Sequence, residues 1–254
     1  MLNLREQARQ NMPVVPNIPE LNSAAIDTWK ARMVNEYGSA RVFEGLHRQL
    51  SKCDLAPSDL SRLASFAEDE RRHGILCGAV VEALGGSAVA PSLEVVPFPE
   101  HPDVSVLEGA IRNLISISCM SETVAVALIG AERLEMPDGP LKDLLTTIYA
   151  DECAHANFGW RLLGDLLERG GDELKEKIKP YVQLAFAHLE KHELAHLPIS
   201  ARPPKEGLKL GLCSGVDART LFYATIEQVI IPGLTAHGLD AKWAWDTRLG
   251  ADIV

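Results

Sequence analysis

The sequence predicts an all-α protein: a four-helix bundle of two antiparallel hairpins joined by a long crossover, with additional C-terminal helices. Three observations carry this. Apolar residues recur at helical spacing almost throughout, no stretch shows convincing strand alternation, and prolines and glycines fall where helices should start and stop.

The elements follow in order. From Ser23 to about Lys52, Ile26, Met33 and Ala40 form one apolar row and Trp29, Phe43 and Leu50 the next, which is the seam of a first helix. Pro57 suits the first turn of a second helix, and Gly85-Gly86 can supply its left-handed stop. Asp103 opens a third helix running to about Leu134, and Pro140 a fourth that ends at Gly170-Gly171. The links "CDLAP" and "EMPDGP" are short enough for antiparallel hairpins, whereas "GSAVAPSLEVVPFPEHP" (86–102) is long enough to cross between them. Further helices are expected at about 173–197, with a kink at Pro180, and at about 217–236, before a short "AKWAW" segment. The chain thus divides into an N-terminal arm (1–22), the bundle (23–170) and a C-terminal helical extension (171–254) packed on it.

Composition narrows the function classes. With 254 residues, 46% of them hydrophobic, the chain can bury a substantial core. A net charge of −10 and a pI near 5.3 argue against nucleic acid or an anionic membrane as the main partner. Five cysteines, widely spaced and without a CxxC pair, read as reduced thiols. The N-terminus carries no signal-type apolar core and no run of about 18 apolar residues is seen, so a cytoplasmic location is expected.

Within the apolar seams, "DERRH" (Asp69 to His73) and "DECAH" (Asp151 to His155) repeat one motif, their glutamates Glu70 and Glu152 standing 82 residues apart. Glu70 shares a row with Leu63, Cys77 and Leu84, and His73 with Phe66 and Val80. Glu152 and His155 fall likewise in rows with Leu145, Leu166, Ile148 and Leu162. Both pairs therefore face the core. A buried carboxylate without a partner costs several kcal/mol, so something must compensate each one. Residues three apart share a helix face, and a Glu and a His so placed can bind one metal ion together.

The other two helices each offer one inward acid. Glu122 lies between Ile115 and Ile129 on the third helix. On the first, Glu36 joins the row of Trp29, Phe43 and Leu50, whereas Glu44 falls with Lys30, Tyr37 and Ser51. Hairpin geometry also selects Glu36: from a turn near Asp54 it is 18 residues back and Glu70 is 16 forward, while Glu44 is only 10 back. Glu122 and Glu152 each lie 15 residues from Pro137.

Four carboxylates and two histidines in one slice of a four-helix bundle resemble the ferritin-like superfamily of di-iron and di-manganese carboxylate proteins, over about residues 23–170. The resemblance implies that Glu36, Glu70 and His73 serve mainly one metal and Glu122, Glu152 and His155 the other, with Glu70 and Glu152 able to bridge. It implies two iron ions, or Mn/Fe or Mn/Mn, with O2 as co-substrate, a small-molecule substrate and an external electron donor. Departures matter too. The CxxC pairs of a rubrerythrin are absent, Cys77 stands where the radical-generating ribonucleotide reductase subunits have tyrosine, and more than 80 residues follow Gly170 where a storage ferritin has one small helix.

Asp69 and Asp151 are expected beside the ligands, each holding an imidazole N–H so that the other nitrogen faces the metal, unless they are merely solvated neighbours. Tyr37 and Tyr149, one and three residues from ligands, are candidate donors of a hydrogen bond or an electron, with core packing as the plainer role of Tyr149. Cys77 and Cys153 read most simply as small apolar residues. His188, His192 and His196 recur in steps of four but lie among Glu190, Lys191 and Glu193, as an exposed mixed stripe does. Glu227 suits capping or a subunit contact. The leading expectation is an O2-activating oxidase or oxygenase, monomeric or homodimeric. The alternatives are a ferroxidase, storage or peroxide-detoxifying protein, and a metal-free interaction module with a buried network of these acids and histidines with Arg71, Arg72 and Arg161.

Overall fold

The computed structural model describes residues 1–91 and 97–251 and is all-α apart from one minimal strand pair. Helix α1 (Arg5–Gln10) is followed by two long helices, α2 (Pro19–Leu50) and α3 (Pro57–Ala83). The third long helix, α4 (Val106–Glu135), contains a π-helical stretch at Ile115–Ser121. The fourth, α5 (Pro140–His196), is broken once. A 3-10 turn (Lys205–Leu210) leads to α6 (Gly215–Thr225), which runs through a π turn (Ile226–Ile230) into Ile231–Ala236, and α7 (Ala241–Thr247) follows. Pro19, Pro57 and Pro140 each open a long helix, where the missing N–H is one that a first turn leaves unpaired in any case.

Packing sets two helix pairs side by side. α2 lies along α3, and α4 along α5; contacts of α2 with α4 and of α3 with α5 join the pairs. Two buried clusters result. One gathers Phe43, Leu46, Phe66, Ile111, Leu162 and Leu166 with Phe186 and Phe222 of the C-terminal helices, and the other Trp29, Met33, Val80, Leu145 and Ile148 with Leu210 and Leu212. The chain beyond Gly171 thus contributes to both cores. Bidentate pairing of Arg248 with Glu190, and the Tyr223 hydroxyl donating to the same carboxylate at 3.0 Å, tie α6 and α7 to α5.

Several expectations are corrected. The first long helix starts at Pro19 rather than Ser23. The N-terminal segment is not simply an arm. Leu2 and Asn3 pair antiparallel with Ala90 and Val89, and Arg9 donates to the buried Glu82 at 2.7 Å, so α1 is held against α3. Part of the crossover is therefore a strand; its residues 92–96 lie outside the described residues. The break in α5 falls at Gly171 (φ 67°, ψ −172°), the expected end of the fourth helix, where glycine tolerates a positive φ, but the kink expected at Pro180 is not there: the backbone stays helical through it, its fixed φ being itself helical. Finally, α4 is long and apolar enough, by length and composition alone, to cross a membrane, although no such run is evident by eye. In the fold it packs against α5 and α6 and carries the buried Glu108, Glu122 and Glu132.

Candidate metal centre

Two close approaches of backbone bring the four long helices together around the two repeated motifs. Gly74, next to His73, leaves room for Tyr37: a Cβ there would stand 2.7 Å from the Tyr37 Cβ and 3.0 Å from its backbone nitrogen. Gly159, one turn beyond His155, does the same for Ser118, where the added Cβ would meet the Ser118 Cβ at 2.3 Å. Any larger residue would push apart the helices that carry Glu36 and His73, or Glu122 and His155.

Glu70, His73, Glu122, Glu152 and His155 are buried and Glu36 nearly so, its side chain 16% exposed. They form two groups whose donor atoms lie within 4.8 Å of one another: Glu36, Glu70, His73 and Glu152, and Glu70, Glu122, Glu152 and His155. Such a cluster can hold a metal ion.

Two carboxylates divide their oxygens between the groups. Glu152 Oε1 is 3.1 Å from His73 Nδ1 while its Oε2 is 3.6 Å from His155 Nδ1. Glu70 Oε1 is 3.2 Å from His155 Nδ1 while its Oε2 is 4.0 Å from His73 Nδ1. Glu36 reaches only His73, at 3.6 Å, and Glu122 only His155, at 3.4 Å.

The far nitrogens are engaged crosswise. His73 Nε2 lies 3.0 Å from Asp151 Oδ2 on the other motif, and His155 Nε2 lies 3.3 Å from Asp69 Oδ2. An ionised carboxylate can only accept, so both Nε2 atoms carry the proton and donate. For a metal that leaves Nδ1, and the Nδ1 atoms of both histidines and Glu122 Oε2 are buried with no hydrogen-bond partner. Their carboxylate neighbours are close, yet none is aligned as an acceptor. Atoms that converge on one space without bonding each other suit an ion between them, and four carboxylates with two imidazoles are a donor set that can hold a metal ion.

Electrostatics without an ion show the same strain. Burial drives the Glu70 carboxyl up to about 8 against the pull of the neighbouring His155, with Glu152 and Glu36 adding like charge. Glu122 is raised far above the usual carboxylate range by burial and by Glu152. Burial opposes charge on both histidines, but the carboxylates around each ring outweigh it: Asp151, Glu152 and Glu36 lift His73 to about 12, and Asp69, Glu122 and Glu152 lead in lifting His155. Glu152 is held low despite burial by Glu122, His155 and His73.

Phe66 and Phe43 pack at a tilt against His155, ring centres 4.2 and 5.1 Å away, and Phe158 meets Phe66 edge-on, so this side of the cluster is walled by apolar rings. Neither tyrosine hydroxyl hydrogen-bonds to a cluster residue among the described residues. Tyr37 lies against Gly74, and Tyr149 sits under the Arg133 guanidinium, 4.8 Å from its ring centre. Glu44 pairs with Arg71 near the surface. His188, His192 and His196 belong to neither donor group, and Glu227 is exposed on α6. Burial pushes the Cys77 thiol well up, as for a packing residue. Motif spacing does not reveal Arg72 or the two glycines; the only trace of Gly74 is a small residue directly after a ligand.

Compared with known protein families and with curated proteins, the chain matches no family model and no curated sequence.

Proposed function

We propose that this is a ferritin-like di-metal carboxylate protein, an O2-activating oxidase or oxygenase acting on a small organic substrate. The observation that carries it is the division of the Glu70 and Glu152 oxygens between two donor groups, each closed by one histidine and one further glutamate. A single-ion site has no use for that division. In this reading Glu36 and His73 would hold one metal and Glu122 and His155 the other, with Glu70 and Glu152 available to both. Iron, or manganese in place of one or both irons, would when bound there supply redox chemistry toward dioxygen, with an external electron donor. The protein's own part is positional. Asp69 and Asp151 fix the imidazoles through their Nε2 protons, and Phe43, Phe66 and Phe158 keep bulk water from the His155 side.

A storage role fits less well, because the chain beyond Gly171 packs on α4 and α5 and covers surfaces that a many-subunit shell needs. The test is metal analysis of protein expressed with iron, followed by oxygen uptake of the reduced form. The expected result is about two metals per chain, in a monomer or dimer that consumes O2 in proportion and then stops until re-reduced. Folded protein that refuses Fe(II) would defeat the metal reading, and a large hollow assembly taking up hundreds of iron atoms would replace the oxygenase with a store.

A further inference from the structure

The two motifs are not equivalent at their fourth residue, and the difference has a structural use. "DERRH" has Arg72 where "DECAH" has Ala154. One nitrogen of Arg72, Nη2, stands 2.9 Å from Asp69 Oδ1 and 2.6 Å from Asp151 Oδ2. These are the aspartates whose Oδ2 atoms accept from His155 and His73. Apart from the histidines, Arg72 is the sole cation paired with either aspartate among the described residues; its neighbour Arg71 is committed to Glu44 and Glu68. A single guanidinium thus joins both aspartate–histidine pairs, and through them both donor groups.

We propose that Arg72 is a positioning residue that orients both metal-facing imidazoles at once, so that the two halves of the centre are set by one side chain. Without it, Asp69 and Asp151 would face each other as like charges, separate, and release both Nε2–H groups from their aligned positions. The predicted effect is therefore paired: both histidines change, although the Arg72 guanidinium hydrogen-bonds to neither ring. Its side chain is 47% exposed, so removing it opens no cavity in the core. The consequence for metal affinity rests on the di-metal reading above, whereas the orientation of the imidazoles does not.

The experiment compares Arg72→Gln, Arg72→Lys and, as control, Arg71→Gln in the full chain. In metal-free, 15N-labelled wild type, His73 and His155 should give two slowly exchanging Nε2–H resonances. Arg72→Gln should lose or shift both, Arg72→Lys should keep both because an ammonium can stand between the two carboxylates, and Arg71→Gln should match wild type. Cobalt(II) titration of the same proteins should show affinity falling about 10–100-fold at both positions in Arg72→Gln alone. Wild-type resonances in Arg72→Gln, or loss of only one of the two, would overturn the proposal. Should Arg72→Gln fail to fold, Arg72→Lys decides, and loss of either resonance in it counts against the proposal. If wild type binds no cobalt, the di-metal reading fails while the resonances still judge Arg72.

Discussion

Substituting Gly159→Ala should damage one half of the centre more than the other. The added Cβ would meet the Ser118 Cβ at 2.3 Å and the Ser118 backbone carbon at 2.9 Å, whereas ordinary contact begins at 3.4 Å. The first of these gaps is about an ångström short, and the second partner is backbone, which cannot rotate away. α4 and α5 must therefore separate where Ser118 stands one turn before Glu122 and Gly159 one turn after His155. Overpacking of this kind costs about 1–3 kcal/mol. In a chain of this size each kcal/mol lowers Tm by about 2–4 °C. Glu122 and His155 are only 3.4 Å apart at their donor atoms, so a shift of this size takes them out of a shared coordination sphere, while Glu36 and His73 lie on the other pair of helices. Thermal unfolding and cobalt titration, read together, should show a lowered Tm and the loss of one metal before the other. Adding Ser118→Gly removes the Cβ clash but not the backbone one, so it should restore part of both losses. A Gly159→Ala protein with wild-type Tm and two wild-type metal affinities would refute the reasoning.

Glu36→Ala should lose about one metal per chain by elemental analysis, whereas Glu44→Ala, which only releases Arg71 at the surface, should keep normal content. Glu82 gives a pH signature: burial works against its charge, but the Ala88 N–H and Arg9 outweigh it and hold the carboxyl below its usual 4.5. A depressed carboxyl stabilises above its unfolded pKa and loses that contribution as pH falls through the folded value, so wild type and Glu82→Gln should differ in Tm at pH 7 and converge once pH has fallen below that depressed value. Glu190→Ala leaves Arg248 and Tyr223 without their shared acceptor and should cost about 1–3 kcal/mol in urea unfolding, with α7 exchanging amide protons first.

The depth at which the ligands meet is readable from chain counting, because an antiparallel hairpin places residues equidistant from its turn at one level. Asp54, with φ 53°, lies in the first turn as expected, and counting from it selects Glu36 over Glu44. Helix starts are readable from Pro57 and Pro140 for the reason that a first turn leaves its N–H groups unpaired. Other features leave no such trace. Two paired residues cannot produce an alternation, so the Leu2–Asn3 ladder is silent in sequence. A π stretch differs from α only in which carbonyl each N–H chooses, and Ile115–Ser121 has no composition of its own.

The crosswise aspartates show the limit most clearly. Spacing along one helix says that Asp69 and Asp151 are near ligands, but which histidine each one holds depends on how α3 and α5 are placed across the core, a relation that no single helix contains. Once they are so placed, the repeat stops being symmetric. The donor residues come as two matched sets, Glu36 with His73 and Glu122 with His155 around the shared Glu70 and Glu152, and each motif supplies one aspartate, yet the cation that joins the aspartates comes from one motif only, since Ala154 has nothing to offer where Arg72 bridges. A duplicated pattern therefore predicts the donors and their aspartates well and the cation between those aspartates poorly. Donors must each reach the centre, and so appear in both copies; a bridging cation between two aspartates is needed once, and a second would have no pair left to bridge.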